Sequence, residues 1–429
     1  MLGLWRSAVR RTPQRSHEFP TLTTKMARPL RIGVVSPFLD KIHGTERCVA
    51  EQVERLARCY SCQIVLYCNE VADVVLFCKD PNFPNVQITW RKVPAIPGPQ
   101  LIRYSWWFFA NWFVRQLDRH TDRFTPDILY SPGINCLDAD VMSVHIVFAE
   151  FYARVREQLA WLRNPLSSWP RLLHRKLYYW LIMALEGGIY RWEQVALAGV
   201  SKKVAHDLEY IYGRRKSVSV IYHGIDERQF NPGVRESLRF AARAALGLPN
   251  TANALLLVGN DWKKKGLRTL LEAMAQLRNL SVWALVVGRD DPAPYRELLQ
   301  ASNLENRVLF LPLRSDVEWY YAAADICVGP SLEDAFALPP LEAMACGVPS
   351  VVSRQAGVSE VLTDGVDGLI LEDPTDSGQL ALFIEKLISE PEFSAQVGSA
   401  AARTACKYTW DKNAEQLFAI FLEARRHRD

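Results

Sequence analysis

The chain has 429 residues, 49% of them hydrophobic and 23% charged, and a net charge of +4. That length exceeds one ordinary core and calls for two domains, and the composition excludes a disordered or fibrous chain. The small charge argues against nucleic acid as a partner, and no apolar run reaches the roughly 18 residues of a membrane-spanning helix.

Residues 1–27 are basic, with Glu18 their one acid, and lack an apolar segment for secretion. The composition fits a transit peptide, but Met26-Ala27-Arg28 directly precedes the first strand pattern and favours a start at Met26. A strand is predicted at 31–35, then a loop at 36–44 and a helix. In that helix Val49, Val53, Leu56 and Ala57 recur at i, i+4, i+7 and i+8, one buried face. Cys59 and Cys62 are the one close pair among nine scattered cysteines, with no second pair at zinc-finger spacing. Free thiols in a reducing cytosol are therefore expected. Further strands are predicted at 63–67, 86–89, 127–130, 141–146 and 195–200, with a long aromatic and basic helical region at 148–192. Tyr222-His223-Gly224-Ile225-Asp226 and Phe230-Asn231-Pro232-Gly233 read as the interdomain connection. A second strand series follows at 254–258, 282–287, 308–311, 326–328 and 350–352. Apolar runs alternating with helical patterns predict βαβ units and parallel sheets, an α/β fold. Gly259, Gly288 and Gly329 follow strands at once, and tight turns at strand carboxyl ends are where open α/β sheets place ligands.

Two segments of the second half carry chemistry. Val258-Gly259-Asn260-Asp261-Trp262-Lys263-Lys264-Lys265-Gly266 leaves a strand and opens a helix, so three lysines gather where a helix start favours anions. The stretch from Pro330 to Gly347, PSLEDAFALPPLEAMACG, joins an acidic loop to a short helix with prolines at its start and glycine at its end. Asp334 lies in the loop and Glu342 is predicted in the first helical turn. Free N–H groups of a helix start suit phosphates or hydroxyls, and the carboxylates accept from hydroxyls, so a polyhydroxylated anion is the natural ligand.

These segments resemble the nucleotide-sugar motif of retaining glycosyltransferases, family 4 (group 1), in which two acids stand eight positions apart. The resemblance covers about residues 30 to 425 and is most specific between 254 and 371. It implies the glycosyltransferase B (GT-B) architecture, two Rossmann-like domains with parallel sheets facing a cleft. The expected division is 28–225 for the acceptor domain, 226–408 for the donor domain, and 409–429 for a helix crossing back. By the same resemblance Glu342 holds ribose hydroxyls, and Asp334 binds the transferred sugar with backbone N–H groups of Phe336, Ala337 and Leu338 nearby. Lys265 carries the phosphate charge with Lys264 in support, because Asn260 stands where the family places Arg. Asp334, Ala335 and Ala337 replace the family's Glu and two glycines. Glu360, in Ala356-Gly357-Val358-Ser359-Glu360-Val361, stands either beside the donor or as a helix-start carboxylate, and both readings remain open. In the first loop His43 replaces one of two family glycines, while Gly44 keeps close backbone approach to the donor feasible. His145, at the end of the strand at 141–146, matches a histidine that faces the transferred sugar, although a lone histidine is equally a structural residue.

The resemblance implies a hexosyltransferase moving a sugar from a nucleotide-diphosphate sugar to a glycan or lipid-linked acceptor, for cell-surface polysaccharide or glycolipid synthesis. No cofactor or metal is expected beyond the donor substrate itself. Two rivals are a sugar-nucleotide epimerase of the same fold and a non-catalytic nucleotide-sugar-binding protein. Arg103-Tyr104-Ser105-Trp106-Trp107-Phe108-Phe109 and the stretch at 161–180 mix aromatics with cations, which suits an anionic membrane surface or a lipid-linked glycan. The same composition suits an ordinary helical layer with aromatic core residues, and that plainer reading is the favoured one. The expected location is the cytoplasm, with peripheral attachment to the inner membrane face as an option.

Overall fold

The structure, a computed structural model, describes residues 28–41, 44–60, 62–74, 87–156, 169–214, 218–277 and 280–426. The first half forms strands β1 (Leu30–Val35), β2 (Phe38–Leu39), β3 (Cys62–Cys68), β4 (Glu70–Val71), β5 (Gln87–Lys92), β6 (Ile128–Pro132), β7 (Val141–Val144), β8 (Ala196–Gly199) and β9 (Ser219–Val220). Its helices are α1 (Gly44–Cys59), α2 (Gln100–His120), α3 (Phe148–Val155), α4 (Trp169–Ile189) and α5 (Lys202–Tyr212). Seven of these strands make one parallel sheet in the order β5-β3-β1-β6-β7-β8-β9, while β2 and β4 pair separately. β1 (LRIGVV) is almost wholly buried because helices cover both faces, so it reads as a continuous apolar run instead of an alternating one. On α1 the predicted stripe Val49, Val53, Leu56 and Ala57 is buried as the period requires.

The second half runs α6 (Pro232–Ala245), β10 (Asn253–Val258), α7 (Leu267–Gln276), β11 (Val282–Val287), α8 (Arg296–Ala301), β12 (Val308–Leu311) and α9 (Glu318–Ala323). It continues through β13 (Ile326–Gly329), α10 (Leu338–Ala345), β14 (Ser350–Ser353), β15 (Leu369–Leu371), α11 (Ser377–Ser389), α12 (Pro391–Ala405) and α13 (Trp410–Arg426). The second parallel sheet has the order β12-β11-β10-β13-β14-β15. The chain winds outward from β10 in one direction and from β13 in the other. The loops after these two adjacent strands therefore diverge and leave a crevice, the topological switch point of an open sheet. The expectation of two parallel α/β units is met. The strand expected over 141–146 stops at Val144, and β9 and β15 were not anticipated, because two or three residues show no period.

The halves are tied by a crossover. Ile225 N donates to Tyr408 O at 3.0 Å, and Trp410 N donates to Ile225 O at 3.3 Å. Helix α13 then packs on the first half: Phe418 stacks on Tyr60 at 4.4 Å, and Asn413 links Gln52 (2.8 Å) to the Tyr222 carbonyl (2.7 Å). The passage is tight at Gly224, where a Cβ would overlap the backbone of Thr409 and Trp410. Gly224→Ala should therefore destabilise the protein by about 1–3 kcal/mol, the usual cost of forced overpacking. Thermal and denaturant unfolding check this, and an unchanged midpoint contradicts the close passage.

Candidate functional site

The loops after β10 and β13 meet at the switch point. Leu332 N donates to Lys264 O at 2.7 Å, and a Cβ on Gly266 (φ +76°) would overlap the Pro330 carbonyl, so only glycine lets the loops touch. Gly259, with φ +135°, lies under the Lys265 stem, where an added Cβ would sit 2.9 Å from Lys265 Cε. Lys265 Nζ pairs with Asp334 Oδ2, while Asp334 Oδ1 accepts from the N–H groups of Phe336 (3.1 Å) and Ala337 (2.8 Å). The Phe336 and Ala337 amides, expected near the sugar, are thus engaged by Asp334 in this structure. Ala337 sits at φ +66°, a region that disfavours side chains and that a glycine would occupy freely. That turn starts α10 at Leu338, so Glu342 falls in the second helical turn, not the first as expected.

Glu342 is 3% exposed. Tyr321 OH donates to its Oε2 at 2.7 Å, and Arg47, from the first turn of α1 in the other domain, reaches its Oε1 at 2.8 Å. Burial pushes its carboxyl pKa up, while the Arg47 charge and the Tyr321 hydrogen bond pull it back. Asn260 Oδ1 accepts from Arg289 N at 3.1 Å. Lys264 Nζ stands 4.5 Å from the Phe151 ring centroid, across the cleft. Glu360 also reaches across: it accepts from Lys202 N (2.7 Å) and Lys203 N (2.9 Å) at the start of α5, and from Tyr222 OH (3.1 Å). Of the two readings left open, this geometry is the helix-start carboxylate, on the helix of the facing domain. Gly44 opens α1, and a Cβ there would meet nothing within 4 Å, so crowding by the described residues does not require glycine. His43 lies outside the described residues.

His145 follows β7, buried at the cleft, with its ring stacked on His223 at 5.4 Å. His223 in turn meets the Phe336 ring edge-on at 5.0 Å, so three groups from both domains converge. Arg47, Tyr321, His223 and the start of α5 were missed from sequence. Arg47 alone had a signal, standing three residues past Gly44 in the helix that the apolar stripe already marks. A cavity of about 10 Å³ lies between Lys265, Ser331, Ala337 and the ends of β10 and β13. That is room for one water at most.

Burial holds His145 down at about 3, with repulsion from His223 adding to it, and holds His223 down at about 4, with Arg47 adding to it. Both rings are neutral at pH 7. Their folded pKa values lie below the ordinary value of about 6.5, so their contribution is complete above that pH and is lost as acid protonates the unfolded chain. Between pH 6.5 and about 4 each should account for up to about 1.4 kcal/mol of lost stability per pH unit. Denaturant unfolding of His145→Asn/His223→Asn across this range should show a shallower pH slope than the parent. Equal slopes contradict the burial of neutral rings.

Residues 239–404 match the family profile described as glycosyl transferases group 1. Among curated proteins, the chain is 30% identical over 243 residues to a D-inositol 3-phosphate glycosyltransferase of Thermobifida fusca, covering 53% of this chain and 55% of that one. It is 32% identical over 219 residues to the protein of that name in Mycolicibacterium smegmatis, covering 49% and 48%. The chain thus spans about half the length of the curated relatives it matches. Among solved structures it resembles sucrose-phosphate synthase from Thermosynechococcus elongatus (TM-score 0.70, 20% identity, 92% of this chain and 98% of that one). It also resembles WaaG, a glycosyltransferase involved in lipopolysaccharide biosynthesis (TM-score 0.68, 19% identity, 90% and 98%). At such identities these structures establish the fold alone. The chain thus carries a match to the glycosyl transferases group 1 profile over residues 239–404, on a two-domain fold of the GT-B type.

Proposed function

We propose that this protein is a retaining glycosyltransferase that moves a sugar from a nucleotide-diphosphate sugar to a glycan or lipid-linked acceptor. The observation that carries the reading is the placement of Asp334, Lys265 and buried Glu342 together at the switch point, roofed by the other domain. Glu342 offers a carboxylate for ribose hydroxyls, Asp334 for sugar hydroxyls, and Lys265 a charge for the diphosphate. These groups now bind one another, so the donor must part the domains and replace those contacts with its own. Charge on the diphosphate grows as the sugar–phosphate bond breaks, so Lys265 and the amides at the start of α10 stabilise the transition state more than the ground state. His145, neutral at pH 7, serves as a hydrogen-bond partner for the transferred sugar and carries no charge there. A front-side transfer, with the departing phosphate helping to deprotonate the acceptor, keeps the anomeric configuration. The relatives named as glycosyltransferases support this reading.

For the acceptor side we place the protein at an anionic membrane face inside the cell. α2 exposes Phe109, Trp112 and Phe113, each about half exposed, and α4 exposes Trp169, Leu173, Leu177 and Trp180, the last 64% exposed. The two helices touch through Tyr104 and Tyr178, 5.5 Å apart. The favoured sequence reading, a layer with aromatic core residues, holds for Trp106, Trp107 and Phe108 and for Leu172 and Tyr179, which are buried or packed on the core, while Phe109, Trp169 and Trp180 face outward. Arg103, Arg171, Arg175 and Lys176 lie on the same two helices, the composition of an interfacial surface. No helix among the described residues is long and apolar enough to cross a membrane. Beside Phe109 and Trp112 a groove of about 400 Å³ is floored by Arg115, which grips Asp138 at 2.7 and 2.8 Å.

Purified protein supplied with UDP-, GDP- and ADP-sugars should release one nucleoside diphosphate and form a linkage with the donor's anomeric configuration, readable by NMR. Activity should persist in excess EDTA, and Lys265→Ala should lower kcat more than donor affinity. An inverted product, or activity abolished by EDTA and restored by manganese, defeats the mechanism, and binding without turnover assigns a nucleotide-sugar-binding role instead. In co-sedimentation, vesicles with anionic lipid should bind the protein in a salt-sensitive way, and Trp112→Ser/Phe113→Ser should weaken that binding several-fold. Equal recovery with neutral vesicles, or no effect of the double replacement, contradicts the surface assignment.

A further inference from the structure

Two of the three lysines of the donor loop are already engaged. Asn260 stands in the first loop position and its Oδ1 is taken by Arg289 N, Lys264 is held over the Phe151 ring, and Lys265 is neutralised by Asp334. A nucleoside diphosphate carries two or more negative charges, and a cation beyond the paired Lys265 would help balance them. Across the cleft, Arg47 lies in the first turn of α1 with its side chain 16% exposed. Its guanidinium stands 5.7 Å from the Phe230 ring centroid, and Nη1 is 2.8 Å from Glu342 Oε1. That contact is close but misaligned: Glu342 Oε1 is buried and accepts no well-directed hydrogen bond. A carboxylate oxygen nine-tenths buried and lacking an aligned donor is poised to accept one from a ligand.

We infer that Arg47 is a donor-binding residue supplied by the opposite domain. Ribose hydroxyls displace it from Glu342, and its guanidinium turns to the diphosphate, providing the cation that Asn260 does not. An arginine suits this exchange because its planar fork serves carboxylate and phosphate alike without changing protonation. The ion pair seen here is then the resting contact of a residue whose working partner is the diphosphate, and both domains contribute to one nucleotide site. The inference rests on the proposed donor class, and its test separates the two.

Calorimetry with UDP, GDP and ADP on the full chain comes first. If none binds the parent protein, the function reading itself fails. With the diphosphate that binds, its affinity is compared with that of the matching nucleoside, measured by competition, in Arg47→Gln and Arg47→Lys. Arg47→Gln should weaken the diphosphate roughly tenfold to hundredfold, the range of a hydrogen bond to a charged group. It should leave the nucleoside unchanged or tighter, because Glu342 no longer has a competitor. Arg47→Lys should fall between, and the diphosphate advantage should shrink with salt less in Arg47→Gln than in the parent. Removing Arg47 strands a buried carboxylate, so Arg47→Gln/Glu342→Gln is compared with Glu342→Gln where the single variant folds poorly. There too the diphosphate alone should lose affinity. Equal losses for nucleoside and diphosphate, or no loss for either, overturn the assignment and leave Arg47 a structural ion pair.

Discussion

A carboxylate that is 3% exposed has to be neutralised, and the way Glu342 achieves this governs the rest of the molecule. An isolated buried charge is prohibitive, and removing one partner from a buried pair typically costs about 3–5 kcal/mol. Tyr321 from the same domain and Arg47 from the opposite one share the work. The positive partner is therefore available only when the domains are closed. Glu360 repeats the device in the other sense, placing its charge on the free amides that start α5. These charges hydrate well when separated, so they are the part of the closed contact that a charged ligand can replace, beside an apolar cluster shared by the halves.

The sheets decide where those charges meet. Parallel strands flanked by helices put every loop with ligand-binding potential at one edge, and the reversal between β10 and β13 opens a gap there. Gly266 then lets the two loops come into contact, so Lys265 and Asp334 pair although they come from different βα units. Helix α13 returns to the first domain and hinges the halves through Ile225 and Thr409. Beside that crossover the halves share one buried apolar cluster, which runs from Val35 and Val144 to Leu256 and Leu341.

Much of this was legible in the residues. Continuous apolar runs such as Leu255-Leu256-Leu257 announced buried parallel strands, and glycines after them announced the turns. The pairing of acidic loop and helix from Pro330 to Gly347 marked the site, because its chemistry sits in one continuous segment. What stayed hidden was long-range or conformational. Arg47 and Glu342 are far apart in the chain, and no local period links them. The left-handed backbone at Ala337, which moves Glu342 into the second turn, has no signature in an alanine. Composition is the same whichever way an aromatic side chain faces, so only packing tells Trp107, 3% exposed, from Trp112, 49% exposed, on the same helix.

The most direct measurement is a crystal structure with the nucleoside diphosphate that binds most tightly. The account predicts ribose hydroxyls on Glu342, the diphosphate between Lys265 and Arg47, and the Arg47–Glu342 contact released. A nucleotide bound elsewhere, or bound in the cleft with that ion pair intact, would contradict it.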